Sequence, residues 1–300
     1  MTEAEFLRHL RCLPLHSGAA GLMDDAARLG AFVLTTDTLV EGVHFLGSDP
    51  PGDVAWKLVA VNLSDLAAKG AAPVGVMLNY PLRGDDGWDV DFLAGFGAAL
   101  RRFDCSLLGG DTVSLPAGAP RVLSLTAIGA SGLVPERAGA RAGDALYVTG
   151  TIGDAGAGLA VARGGAGPGA LLGAYRRPAP LLAEGQALAR VVHAMMDVSD
   201  GLLIDAARMA AASDLALVID LRAVPLSAAY RQLMGDDQAA RLAAATAGDD
   251  YQLLFAADTA AQLPVPATCI GRFSAGAGLA ITDGTQPVPL PALLGFEHCG

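Results

Sequence analysis

The chain has 300 residues, 52% hydrophobic and 17% charged, enough to bury a large core and long enough for two domains. Its formal charge of −11, without basic runs or arginine and aromatic patches, excludes a surface built for nucleic acid or an anionic membrane. A negatively charged substrate would need metal ions to bring it in, and no apolar run reaches the ~18 residues of a membrane span.

Met1 to Cys12 mixes Glu3, Glu5, Arg8 and Arg11 with apolar residues and lacks the continuous apolar core of a signal peptide. Cys12, Cys105, Cys269 and Cys299 have no C-x-x-C spacing, which argues against a disulfide framework or zinc site and for a reducing cytoplasm. Ala31 to Thr36 reads as a buried strand with Asp37 at its carboxyl end. Asp49 to Asp53 reads as a turn opening a helix that stops near Gly70. Val54, Leu58, Val61, Asp65 and Ala68 fall on one face of that helix, so Asp65 lies in its apolar stripe. With no lysine or arginine one turn before it, such an acid points to a metal; the alternative is a carboxylate bonded to backbone amides.

Val74 to Tyr80 predicts a strand, Trp88 to Phe103 a helix, Ser106 to Leu108 a short strand ending at Gly109-Gly110-Asp111, and Arg121 to Ala130 another strand. The polar, glycine-containing Pro135 to Gly143 places a domain boundary near residue 138, giving domains of 1–138 and 139–300. Beyond it come a strand at Ala145 to Thr149 and small residues, Thr149 to Gly158, opening into a helix. That turn either cradles a phosphate on backbone amides or lets a helix pack close to a sheet. Gly164 to Gly169 reads as flexible. Helices follow at Leu181 to His193 and at Leu202 to Ala212, the latter capped by Ser199 or Asp200, with strands at Leu215 to Leu221, Tyr251 to Phe255 and Thr268 to Arg272.

Acidic residues recur where elements stop: Asp24-Asp25, Asp37, Asp65, Asp111, Asp197, Asp200 and Asp249-Asp250. Carboxylates brought to about 4 Å repel by roughly 4 kcal/mol per pair at an effective dielectric near 20, and hard oxygen donors favour magnesium as the counter-charge. Neither of the two lysines, Lys57 and Lys69, stands in a P-loop, and H-E-x-x-H, G-x-S-x-G and the protein-kinase motifs are missing. Of the histidines only His44 sits near an acid motif, as an anion ligand or as a solvated loop residue. A lysine-poor acidic site of this kind suits magnesium-assisted phosphoryl transfer; two-metal hydrolysis of a phosphate ester uses the same ligand types.

The ordered segments Asp24-Asp25-Ala26-Ala27, Thr36-Asp37-Thr38-Leu39-Val40-Glu41-Gly42-Val43-His44-Phe45, Val61-Asn62-Leu63-Ser64-Asp65-Leu66-Ala67-Ala68, Gly109-Gly110-Asp111-Thr112, Asp197-Val198-Ser199-Asp200-Gly201-Leu202 and Gly248-Asp249-Asp250-Tyr251 resemble the thiamine-monophosphate kinases. That family belongs to the aminoimidazole-ribonucleotide-synthetase-like ATP-binding superfamily, and the resemblance runs from about residue 20 to the C-terminus. It implies transfer of the γ-phosphate of ATP to thiamine phosphate by direct in-line attack. It assigns magnesium to Asp25, Thr35, Thr36, Asp37, Asp65, Asp111, Asp197 and Asp200, and ATP to Gly110, Asp111, Arg137 and Ser199. Thiamine phosphate falls to His44, Asp249 and Phe296, whose ring offers a π-face to a flat cation. The fold it implies is α/β (α+β) in two domains, the N-terminal sheet pairing with that of a second subunit into a dimer-spanning barrel.

The chain departs from the family pattern at Met23 (usually glycine), Val113 (usually threonine) and Asp249 (often glutamate), none of which removes a metal ligand. Competing readings are another enzyme of the superfamily or a non-catalytic nucleotide and magnesium binder. Selenophosphate synthetase needs a lysine beside its reactive cysteine, which Cys12 lacks, and the hydrogenase-maturation dehydratase ends in cysteine, whereas Gly300 follows Cys299.

Overall fold

A computed structural model of the chain describes residues 2–116 and 118–297; His298 and Cys299 lie outside the described residues. In the first half, helix α1 (Glu3–Leu10) precedes strands β1 (Ala27–Leu29) and β2 (Phe32–Val40), then α2 (Pro51–Ala68), β3 (Ala72–Leu82), α3 (Asp86–Arg102), β4 (Leu107–Ser114) and β5 (Val122–Ala130). The second half comprises β6 (Ala145–Val148), α4 (Asp154–Ala162), α5 (Gly169–Arg176), α6 (Leu182–Leu188), β7 (Ala194–Asp197), α7 (Leu202–Ala212) and β8 (Leu215–Asp220). It continues with α8 (Ala228–Met234), α9 (Gln238–Ala247), β9 (Leu253–Ala257), β10 (Thr268–Ala275), β11 (Gly278–Asp283) and β12 (Gln286–Val288).

Among the described residues the strands form two open sheets, in the orders β1-β2-β5-β3-β4 and β12-β11-β8-β10-β6-β9-β7. Only β3 with β4 and β8 with β11 pair in parallel. Each sheet has its own buried core, giving a two-domain α/β architecture. The domains meet on α2. That helix is buried around most of its circumference because it packs on α3, β2 and β5 to one side and on α6 and β7 to the other.

Several elements run differently from the sequence expectations. The strand expected to stop at Thr36 continues to Val40, since β5 pairs with it along its whole length, so Asp37 is mid-strand rather than at a strand end. β4 runs through Gly109 and Gly110, because pairing with β3 holds the glycines extended. The helix expected to reach His193 stops at Leu188, and Ala194–Asp197 forms a strand on β9 instead. Gly164 to Gly169 leads directly into α5, a helix whose Leu171 and Tyr175 are buried.

Neither Ser199 nor Asp200 caps α7 with its side chain. Asp205, inside the first turn and fully buried, instead accepts from the backbone amides of Ser199, Asp200 and Gly201 at 3.0, 3.1 and 3.2 Å.

Candidate active site

Alternation along β2 turns Thr35 and Asp37 toward α2 and Thr36 to the opposite face, where its hydroxyl donates to Leu125 O at 3.0 Å. The Thr35 hydroxyl donates to Asp65 Oδ2. One turn earlier on α2, Asn62 Oδ1 accepts from the Asp37 amide at 3.1 Å. Ser64 Oγ donates to Asp197 Oδ2 at 2.5 Å, across from α2 to the end of β7. A single helix thus holds acids from both domains against one another, an arrangement the apolar stripe containing Asp65 did not announce.

Asp24 and Asp25 join from the segment before β1. The buried Lys69 ammonium lies 2.5 Å from Asp24 Oδ1 and 2.7 Å from Asp25 Oδ2, and it also donates to Met195 O at 3.1 Å. Arg137 donates to the other oxygen of Asp25. Asp200 pairs with Arg208 at 2.5 Å. The site is therefore less poor in cations than the sequence reading held: Lys69 neutralises one end of it, and Lys57 reaches Asp249 Oδ2 at 2.6 Å.

These partners divide the acids. Burial alone would raise Asp25, but Lys69 and Arg137 outweigh it and hold that carboxyl below its ordinary value. Burial first, then the charges of Asp200 and Asp25, push Asp37 up to about 6. Burial and Asp25 push Asp197 up to about 8. Asp65 rises well above the carboxylate range through burial and the charges of Asp37, Asp197 and Asp25. Among the described residues no lysine or arginine is paired with Asp37, Asp65 or Asp197. Buried carboxylates facing one another without a cation are an oxygen-only donor set that fits magnesium. Among the described residues, no three acidic, histidine or cysteine side chains close on one point as a preformed metal cage.

Two cavities share this wall. One, of about 620 Å³, is lined by His44, Asp249 and Phe296 together with Val43, Leu159 and Arg163. The other, of about 740 Å³, is lined by Arg137 and Arg208 with Leu7, Leu22, Met23 and Ala211. Thr36, Asp37, Asp65, Asp197, Ser199 and Asp200 line both.

In the first cavity His44 Nδ1 accepts from the Val40 amide at 3.1 Å, which leaves the proton of a neutral ring on Nε2. The His44 and Phe296 rings lie edge to face at 6.5 Å. The Phe296 amide donates to Asp200 O at 2.8 Å, tying the C-terminal segment to the acid loop. Asp249 sits at φ +65°, and its Oδ1 accepts from the Tyr251 hydroxyl at 3.0 Å.

Gly110 and Asp111 are not brought to this wall by their own chain. Asp37, Leu125, Leu78 and Gly110 occupy one row across β2, β5, β3 and β4, so Gly110 lies three strand spacings, about 14 Å, from Asp37. β4 is the exposed edge of the sheet.

The glycine turn before α4 is filled from within. Asp250 accepts from the Gly153 amide at 3.0 and 2.9 Å, occupying the place a phosphate would take. A Cβ on Gly153 would meet Ala244 at 2.5 Å, and one on Gly158 would meet Leu171 O at 1.9 Å. Close packing explains these glycines, but of α4 against the helices α5 and α9 rather than against a sheet as the sequence led us to expect.

Lys57, Lys69, Arg163, Arg208 and Asp205 escaped the sequence reading. The partner of Lys57 lies 192 residues away and that of Arg137 112 residues away, beyond any local pattern. Only Lys57 left a trace, as a charge four residues before Val61 on the buried side of α2.

Family models for AIR synthase related proteins match the chain twice, the N-terminal domain over residues 23–131 and the C-terminal domain over residues 141–284. Thiamine-monophosphate kinase of Escherichia coli K12 is 38% identical over 93% of this chain and 91% of its own, and that of Caulobacter vibrioides is 38% identical over 93% and 85%. AaThiL, solved in complex with AMPPCP and TMP, superposes with a TM-score of 0.89 at 28% identity, covering 99% of this chain and 97% of that one. The hydrogenase maturation protein HypE of E. coli, at 23% identity and a TM-score of 0.70, shares the fold alone. The chain belongs to the thiamine-monophosphate kinase family of the AIR-synthase-related proteins.

Proposed function

We propose that the protein phosphorylates thiamine phosphate to thiamine diphosphate at the expense of ATP. The observation that carries this reading is the acid wall shared by two cavities, which lets two anions approach one set of carboxylates. The cavity with Arg137 and Arg208 takes the nucleotide, and the cavity with His44, Asp249 and Phe296 takes thiamine phosphate. An acceptor phosphate oxygen attacks the γ-phosphorus as the bond to the β-phosphate oxygen breaks and ADP departs. A phosphate monoester with a second pKa near 6 is already largely dianionic at neutral pH and needs no general base.

Magnesium, held by Asp37, Asp65 and Asp197 with Thr35, Thr36, Asp25 and Asp200 around them and Asp111 supplied by a second copy, would neutralise the converging phosphate oxygens. In this reading His44 Nε2–H would donate to the acceptor phosphate and the Phe296 face would lie against the flat ring of thiamine. Ser199 stands at the wall between donor and acceptor.

We place the domain boundary near residue 138, between the last strand of the first sheet and the first of the second. The exposed edge strand β4, with Leu107, Leu108 and Val113 each more than half exposed, supports a homodimer in which the sheets of two copies pair into a barrel. Pairing would also bring a second copy's Gly110 and Asp111 to the nucleotide. Among the described residues no helix is long and apolar enough to cross a membrane; with cysteines that have no paired spacing, this supports a cytoplasmic enzyme.

Incubation of the protein with ATP, magnesium and thiamine phosphate should yield thiamine diphosphate and ADP in equal amounts. Nucleotide binding without product would identify a binding protein, and phosphate release without acceptor would identify a hydrolase.

A further inference from the structure

We infer that Lys57 is a positioning residue of the first cavity: its ammonium fixes both Asp249 and His44, and so sets how the acceptor is held. This rests on reading that cavity as the thiamine phosphate site. Lys57 is on α2, and its side chain is only 3% exposed. Its Nζ donates to Asp249 Oδ2 at 2.6 Å and to His44 O at 3.2 Å, and it lies 4.4 Å from the centre of the Tyr175 ring.

One cation therefore joins the backbone of His44 to the side chain of Asp249, two residues of the pocket that come from opposite domains. Tyr175 closes the ammonium off from the far side, and its own hydroxyl is anchored on Asp49 Oδ2 at 2.8 Å. An ammonium so buried is bound to its partners rather than to water, and it can turn toward no others.

The contact also defines the chemistry that Asp249 offers. With Lys57 on Oδ2 and the Tyr251 hydroxyl on Oδ1, the carboxylate is compensated and aimed, so it acts on a ligand as an oriented hydrogen-bond acceptor. The Asp249 backbone, at φ +65° in the left-handed region that aspartate tolerates, is fixed by its amide donating to Ser199 O at 2.7 Å, so the ion pair with Lys57 sets the direction of the side chain. Without Lys57 the buried side of the pair would be lost, and Asp249 and the His44 backbone would be free to separate.

The test is a double-mutant cycle on Lys57→Met and Asp249→Asn, with steady-state KM for thiamine phosphate and for ATP as separate readouts and calorimetric binding of thiamine phosphate alongside. Lys57→Met should raise KM for thiamine phosphate by about tenfold or more while KM for ATP stays within about twofold. The double variant should lose less than the product of the two single losses, because Lys57 acts in large part through Asp249, the remainder being its contact with the His44 carbonyl. Tyr175→Leu removes the ring but no charge and should move the same constant by a smaller factor; it serves as the second variant should Lys57→Met fail to fold. An unchanged KM for thiamine phosphate, equal losses for both substrates, or additive effects in the cycle would overturn the role of Lys57. A wild-type protein that neither binds nor converts thiamine phosphate would instead overturn the reading of the cavity, and this inference with it.

Discussion

Asp25 and Asp65 are buried carboxylates of the same wall, yet their surroundings drive them in opposite directions. Lys69 and Arg137 keep Asp25 ionised, whereas Asp65 is offered only the Thr35 hydroxyl against the charges around it. Removing the charge at Asp65 should therefore improve the metal-free fold while destroying the site. Asp65→Asn is expected to raise the melting temperature in EDTA and to lower kcat by at least about a hundredfold, checked by scanning fluorimetry and initial rates. The same imbalance has a pH signature. A carboxyl raised in the folded state stabilises it while protonated, and this contribution is lost as pH rises from 3.8 through the folded value, about 6 for Asp37 and about 8 for Asp197. On the proposed reading magnesium takes the place of those protons, and the gain in melting temperature from magnesium over EDTA should then grow steadily from pH 5 to pH 8. Asp205 and Asp250, raised by burial to about 7 and about 8 at positions filled by backbone amides, lose stability over the same range with or without metal and leave that difference untouched.

At the scale of elements, α2 is the hinge of the chemistry, carrying Lys57, Asn62, Ser64 and Asp65 on its buried turns and Lys69 at its end. Among the described residues Ser64 is the hydrogen-bonding link from this helix to Asp197, and its loss leaves a buried acceptor without that donor. Ser64→Ala should cost about 1–3 kcal/mol of stability in urea unfolding, measured without magnesium. α4 depends on the absence of side chains. The Cβ of Gly158→Ala would press on the α5 backbone at Leu171, and the variant should lose about 1–3 kcal/mol in the same assay through overpacking. Both the helix stripe and the glycines were visible in the sequence. What they packed against was not, because α5 and β7 offer no pattern that names α4 or α2 as neighbour.

For the whole molecule, the exposed edge at β4 and the separation of Asp111 from Asp37 point to a second copy. Light scattering after size exclusion should give twice the chain mass. If Asp111 acts on the partner's site, mixing the inactive Asp65→Asn and Asp111→Asn variants should restore about a quarter of wild-type activity, since half the dimers are mixed and each mixed dimer has one intact site. No recovery would assign Asp111 to its own chain. The sequence by itself determined the identity of the acids, the helix that presents Asp65, the two-domain α/β class and the family, because periodicity and ordered motifs are local properties of a chain. The tertiary structure alone decided which acids share a wall, which are already neutralised by Lys69, Arg137 and Arg208, and that one wall faces two cavities. Arg137 with Asp25 and Ser64 with Asp197 meet across more than 100 residues and Lys69 with Asp24 across 45, and even Arg208 with Asp200, 8 residues apart, pair only because the loop before α7 folds back; charge compensation is set by distance in space rather than by order along the chain.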